Sequence, residues 1–243
     1  MDQARDDIWA IEHRHSVRRF TGEAVPADVR AELERAVAAA NATSGLHMQL
    51  AWDEPEAFKT MLAHYGKFQN ACNYLALVGP KGPDLDELCG YFGEKIVLLA
   101  QRLGLNSCWV GGTFSRKRTR CDVGAGERLV MVVALGLGVD DGRPRRSKGI
   151  SELSNTHGIV MPNWFQHDMQ AAALAPTALN QQHFIFTLDR DRTRVRAQST
   201  GGLFSKVDLG IAECHFELAS GHAVEDSATS RLAGSRAGEK GGR

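Results

Sequence analysis

Apolar positions along the chain fall into dense blocks separated by polar, glycine-rich stretches, and the spacing inside each block predicts its element. Val29, Leu33, Val37 and Ala40 recur at helical spacing behind Pro26 and Asp28, so a helix is expected there, broken at Asn41–Gly45. A shorter helix is expected near Ala4–Arg14. Between Gly90 and Leu103, the residues Phe92, Ile96, Val97, Leu98, Leu99 and Leu103 leave almost no polar face, the pattern of a core helix, and Gly104 is placed to end it. Apolar runs at Tyr74–Gly79, Ser107–Val110 and Leu129–Leu135 read as buried strands. Further helices are expected at Asn163–Leu174 and Asp208–Ala219. Between them, Phe184–Asp189 and Arg194–Gln198 form a hairpin around the polar turn Asp189-Arg190-Asp191-Arg192. From position 221 to 243 the chain is Ser, Ala, Gly, Glu, Lys and Arg with almost no apolar residue, which predicts a disordered tail. Core helices mixed with short strands make the fold class α+β, with a mixed or antiparallel sheet flanked by core helices.

A segment occurs twice. Ala172-Ala173-Leu174-Ala175-Pro176-Thr177-Ala178-Leu179-Asn180-Gln181-Gln182 matches Ala39–Gln49 at an offset of 133, pairing Thr177 with Ser44, Ala178 with Gly45, Leu179 with Leu46 and Gln182 with Gln49. The early copy is worn, with Thr43 at the place of Pro176 and His47 at the place of Asn180. A second echo sets Gly90-Tyr91-Phe92-Gly93 against Asp208-Leu209-Gly210 at an offset of 117, each read as the start of a helix. The period is far too long for a solenoid and implies two related halves, about 8–148 and 149–220, in one domain over 1–220.

Charge and cysteine content narrow the picture. Formal net charge is zero, which argues against a general nucleic-acid or membrane-surface binder. The longest nearly apolar run, Leu129–Val139, is about half of the roughly 20 residues that a membrane span needs. Five scattered cysteines include no CxxC pair, and the acidic N-terminus lacks the apolar region of a secretory signal; both point to a reducing cytosol. No metal site is indicated, since His13 and His15 have no further ligand cluster. Cys108 and Cys214 sit in apolar runs and read as buried, inert thiols. Gly136-Leu137-Gly138 lacks the third glycine and the helix of a dinucleotide fingerprint.

Two basic clusters stand out of this neutral background. Arg14-His15-Ser16-Val17-Arg18-Arg19-Phe20 combines guanidinium forks and a hydroxyl that suit a phosphate, or else forms a solvated basic turn. Arg143, Arg145, Arg146 and Lys148 form the second, open to the same two readings. Together they favour an anionic small ligand over either cluster alone. The Pro176–Asn180 turn adds backbone amides, a hydroxyl and a carboxamide, groups that suit a polar heterocycle.

These segments resemble the flavin-dependent nitroreductase family. Arg14–Phe20 is similar to its N-terminal signature. Ala175–Gln182 is similar to its Ala-Pro-Ser-x-x-Asn-x-Gln-Pro-Trp element, with Thr177 for Ser, His183 for Pro and Phe184 for Trp. Gly90–Gly112 is similar to its central helix and the glycine-rich strand end that follows. The resemblance covers about residues 8–219 and is nearest to the single-chain, internally duplicated members. It implies a nitroreductase-like fold, and flavin mononucleotide (FMN) held by Arg14, His15, Ser16, Arg18, Gly111, Gly112, Arg145, Lys148, Pro176, Thr177, Ala178, Asn180 and Gln182. It implies no catalytic side chain, because the flavin itself takes hydride from NAD(P)H and passes electrons to a nitroaromatic, quinone or similar acceptor. Since each flavin element is intact once, the expected form is a cytoplasmic monomer with one FMN. The rival reading is a flavin-binding sensor or storage protein without turnover.

Overall fold

The computed structural model describes residues 3–59, 66–158 and 160–240. The chain forms two compact units that interleave along the sequence: 13–85 with 93–145, and 1–12 with 86–92 and 146–243. The expected sequential halves thus differ from the compact units, because two early segments belong with the later residues.

The first unit is built on a four-stranded sheet of β1 (Gln49–Ala51), β2 (Asn73–Pro80), β3 (Asn106–Val110) and β4 (Glu127–Gly136), in the order β1-β2-β4-β3. Every pair is antiparallel, with Asn73 opposite Leu135 and Asn106 opposite Gly136. The strands are apolar without alternation because both faces are covered: Leu75 and Leu77 are as buried as Tyr74, Ala76 and Val78. Val17 and Phe20 join the core on the face of Tyr74, Ala76, Cys108 and Val132. Helix α2 (Ala27–Ser44) falls where the periodicity put it, and α1 (Gln3–His13), which belongs to the other unit up to Glu12, lies near the expected Ala4–Arg14. α2 runs through Asn41, however, and ends on Gly45, whose left-handed φ of 74° lets its N–H return to the Asn41 carbonyl.

Helix α3 (Leu85–Arg102) starts five residues before Gly90. Its two glycines lie inside the helix because something approaches closely. A Cβ on Gly93 would lie 2.8 Å from the Trp109 ring.

The second unit holds the β5 (Phe184–Leu188)/β6 (Val195–Ser199) hairpin, with β7 (Val224–Glu225) added parallel to β6. A helical turn α4 (Ile150–Leu153), helix α5 (Asn163–Ala172) and helix α6 (Ser205–Ser220) complete it, together with α7 (Ala228–Lys240). Its core is aromatic: Phe186 stacks on Phe216 at 4.9 Å, and Phe165 meets the same ring edge-on at 5.9 Å. Within this unit the start of α3 crosses α6 at two glycines. A Cβ on Gly90 would sit 2.1 Å from the Val207 carbonyl oxygen, and one on Gly210 2.0 Å from that of Glu87. The crossing is reciprocal, since each glycine meets the carbonyl three residues before the other. Both glycines lie inside their helices, five residues past the starts at Leu85 and Ser205, which corrects the reading of them as helix starts.

The tail also departs from expectation. Residues 224–225 are a strand and Ala228–Lys240 a helix. This segment buries only Val224 and Ala228 among its described apolar side chains and is anchored by polar groups as well. The buried Ala228 N–H donates to Glu87 Oε1, and Arg231 pairs with the same carboxylate at 3.7 Å. Residues 241–243 lie outside the described residues.

Candidate functional site

The basic segment Arg14–Phe20 is an irregular edge stitched onto the first sheet. Ser16 bridges Ser107, Val17 N–H donates to the Ser107 carbonyl at 2.9 Å, and Phe20 bridges Gly138. Val17 and Phe20 point into the core, so Arg18 and Arg19 are left exposed. Arg19 is committed to Asp140.

Arg14 behaves differently. Its side chain is wholly buried, 3.6 Å from Glu94 Oε1, and Glu94 Oε2 accepts from Trp109 Nε1 at 2.8 Å. None of the three Arg14 nitrogens has a hydrogen-bond acceptor among the described residues, and neither do Arg145 Nε and Nη2. Burial, and then the neighbouring Arg14 charge, pulls the Arg145 guanidinium down to about 9. Burial also lowers Arg14, against the opposing pull of Glu94. His15 donates from Nδ1 to the Asp141 carbonyl at 3.2 Å. Its pKa is lowered by burial, opposed by that bond and reinforced by Arg14 and Arg145. Gly111 and Gly112 form the bend after β3, and a Cβ on Gly112 would meet open space. Cys108 lies buried in the same strand with its thiol pushed up by burial, as an inert core cysteine should be.

The remaining candidates form a second group, in the second unit. The Thr177–Gln182 turn places three non-glycine residues in the left-handed region: Leu179 (φ 52°), Asn180 (φ 55°) and Gln182 (φ 49°). For L-residues that conformation costs about 1–2 kcal/mol each, less for Asn. A dense set of bonds imposes it. Gln182 N–H donates to Thr177 Oγ1, and its carboxamide bonds the Ala173 carbonyl and the Lys148 N–H. Asn180 Nδ2 donates to the Arg146 carbonyl at 2.8 Å. Lys148 Nζ donates to the carbonyls of Gln181 and Gln182. Ala178 N–H donates to Asp208 at the N-terminus of α6, at 3.0 and 3.1 Å from its two oxygens. Burial raises the Asp208 carboxyl to about 7, opposed by that bond. Pro176 is buried, while Leu179 is 83% exposed.

The structure thus gathers Arg14, His15, Ser16, Arg18 and Arg145 in one unit, and Lys148, Pro176, Thr177, Ala178, Asn180 and Gln182 in the other. Thr177 Oγ1 shapes the turn from within, and Lys148 Nζ holds its last two carbonyls from outside. Among the described residues no cluster of His, Cys, Asp and Glu could hold a metal ion, and no helix is long and apolar enough to cross a membrane.

A family model described as "Putative TM nitroreductase" matches residues 7–220. The chain belongs to the nitroreductase family. Its kind of chemistry is therefore oxidoreduction. A solved structure from Thermotoga maritima, described as a putative nitroreductase, shares the fold with a TM-score of 0.62 at 21% identity, over 88% of this chain and 82% of that one. A Desulfovibrio desulfuricans structure, described as a putative nitroreductase in complex with FMN, aligns over 60% of this chain and 94% of its own, at 21% identity and a TM-score of 0.48. No curated protein matches the chain. Within this nitroreductase chain, sequence reasoning passed over Glu94 and Asp208. The available signal was an acid set among apolar residues of a core helix, Glu94 between Gly93 and the run Ile96–Leu99 and Asp208 between Val207 and Leu209, where an unpaired carboxylate is costly.

Proposed function

We propose that this chain is an FMN-dependent oxidoreductase of the nitroreductase type, carrying electrons from NAD(P)H to a nitroaromatic, quinone or similar small acceptor. The observation that carries the reading is the buried pair of guanidiniums, Arg14 and Arg145. Two like charges with unsatisfied donors are unfavourable on their own, and a phosphate accepting from both forks relieves them. The residues therefore fit the phosphate of a mononucleotide, and the resemblance at Arg14–Phe20 supports reading that mononucleotide as FMN. When bound, the flavin supplies the hydride and two-electron chemistry.

The chain's own residues bind and orient. Arg14 and Arg145 hold the phosphate, with Glu94 balancing one of the two charges. Ser16 and Arg18 stand at the open side of the same segment. By the resemblance, the Thr177–Gln182 turn contributes backbone amides, the Asn180 carboxamide oxygen, which has no partner among the described residues, and the apolar side chain of Leu179. Each element occurs intact once, which supports one FMN per chain and a monomer. Five free cysteines accord with a reducing cytosol.

The purified protein should be yellow and release about one FMN per chain on heating. NADH or NADPH should bleach it in a stopped-flow mixer, and an added quinone should restore the colour. A colourless protein that takes up no FMN overturns the flavin assignment. A flavin that binds but never bleaches leaves only a sensor or store. Arg18→Ala and Arg145→Ala should each weaken FMN binding tenfold or more, as expected for charge-assisted bonds worth about 1.5–3 kcal/mol. Lys148→Ala should weaken it less, acting through the turn carbonyls.

A further inference from the structure

We propose that Asp208 is the positioning residue of the Thr177–Gln182 turn: its carboxylate fixes Ala178, and through it the left-handed run that begins at Leu179, in the shape the cofactor site requires. Only the last clause rests on the flavin reading.

The argument starts from how the turn is tethered. Its far end is held by Asn180 to Arg146, by Gln182 to Ala173 and Lys148, and by the Lys148 ammonium to the carbonyls of Gln181 and Gln182. Internal bonds, from Asn180 N–H to the Thr177 carbonyl and Gln181 N–H to that of Ala178, close the turn on itself. At the near end, where the backbone changes hand, the one bond from the turn to another element among the described residues is the Ala178 N–H donated to Asp208.

Asp208 has no other use in view. It is 4% exposed, and among the described residues its side chain forms no ion pair and accepts from no other donor. A buried carboxylate without a cationic partner is unfavourable unless its bonds secure something. Its place is well suited to the task. It lies in the first turn of α6, where the helix dipole favours a negative charge, and its own N–H is committed to the Phe204 carbonyl, so the side chain is carried by a rigid element.

Two variants separate the bond from the charge. Asp208→Ala removes the acceptor, and Asp208→Asn keeps one oxygen in the same place. The first readout is amide hydrogen exchange of residues 176–182 by mass spectrometry in the flavin-free protein. The second is FMN affinity by fluorescence titration. Asp208→Ala should lower protection of 176–182 at least tenfold while the middle of α6 stays protected, and should raise the FMN Kd tenfold or more. Asp208→Asn should stay within about threefold of the parent in both. If Asp208→Ala fails to fold, Ala178→Pro removes the donor with Asp208 intact. The extended Thr177 (φ −131°, ψ 155°) already has the conformation that precedes a proline. Unchanged protection in Asp208→Ala or Ala178→Pro overturns the proposal, as does an Asp208→Asn variant as damaged as Asp208→Ala. A parent protein that binds no FMN overturns the flavin reading alone, because the exchange measurement still decides the tether.

Discussion

Two turns of similar sequence, each following a helix, fold to opposite ends. In the early one, Gly45 takes the left-handed position at no steric cost, and Leu46 folds inward to 6% exposure, against Gly79 of β2. The turn is closed by the Asn41 side chain at the end of its own helix and tied to the sheet through His47. Asn41 accepts from Met48 N–H at 2.9 Å and donates to the Met48 carbonyl at 2.8 Å, and His47 meets Glu127 at 3.0 Å. In the late one, a leucine takes the left-handed position and its side chain stands in solvent. The turn is held from outside, by Asp208, Lys148 and backbone carbonyls. Relaxed backbone with an inward leucine serves the core, whereas strained backbone with an outward leucine is the arrangement found at binding sites.

The contrast is tested most severely by its leucines. Leu46→Ala should destabilise the protein by about 2–5 kcal/mol in chemical denaturation, and Leu179→Ala by less than about 0.5 kcal/mol. Equal losses would mean that Leu179 is packed. A pH series should come next in size, with opposite signs for the two turns. Asp208 has a folded pKa raised to about 7, so its contribution is full below its unfolded value near 4 and is lost as pH rises toward 7. Glu213, buried with both oxygens unbonded among the described residues and its pKa raised by burial and by Glu87 and Glu217, acts in the same direction. Glu127, lowered by the His47 bond and the Gly124 N–H, instead contributes above its unfolded pKa and loses that as pH falls through its folded one. The Tm of the parent should therefore drop more between about pH 5 and pH 8 than that of Asp208→Asn. Parallel curves would remove Asp208 from the account.

Asn41→Ala should cost about 1–3 kcal/mol, by breaking both bonds to Met48. The smallest effects are the most telling in sign. Gly45→Ala should destabilise by about 1 kcal/mol, whereas Leu179→Gly should leave stability unchanged or raise it by up to about 1 kcal/mol, by relieving strain. Loss of stability in Leu179→Gly would show that the leucine conformation is not strained.

Much of this was legible in the sequence, and the failures have physical causes. Strands β2, β3 and β4 were readable because burial on both faces leaves an unbroken apolar run. β1, with three residues, gives no pattern to read. The final helix escaped because too few apolar residues mark a segment whose anchors include Ser227, Ala228 and Arg231, two of them on a carboxylate more than 140 positions away. The cations of the site were conspicuous in a neutral chain. Glu94 and Asp208 were not, because each meets its partner only after folding, Asp208 across 30 positions.

The glycine crossing of α3 and α6 has an evolutionary consequence. Because each glycine admits the other helix's backbone, a side chain at Gly90 or Gly210 forces the same separation. The first substitution should therefore carry most of the damage, and the second should cost far less in that background than alone. Such positions are epistatic: a lineage that loses one glycine loses much of the selection that keeps the other, so the two should persist together or disappear together.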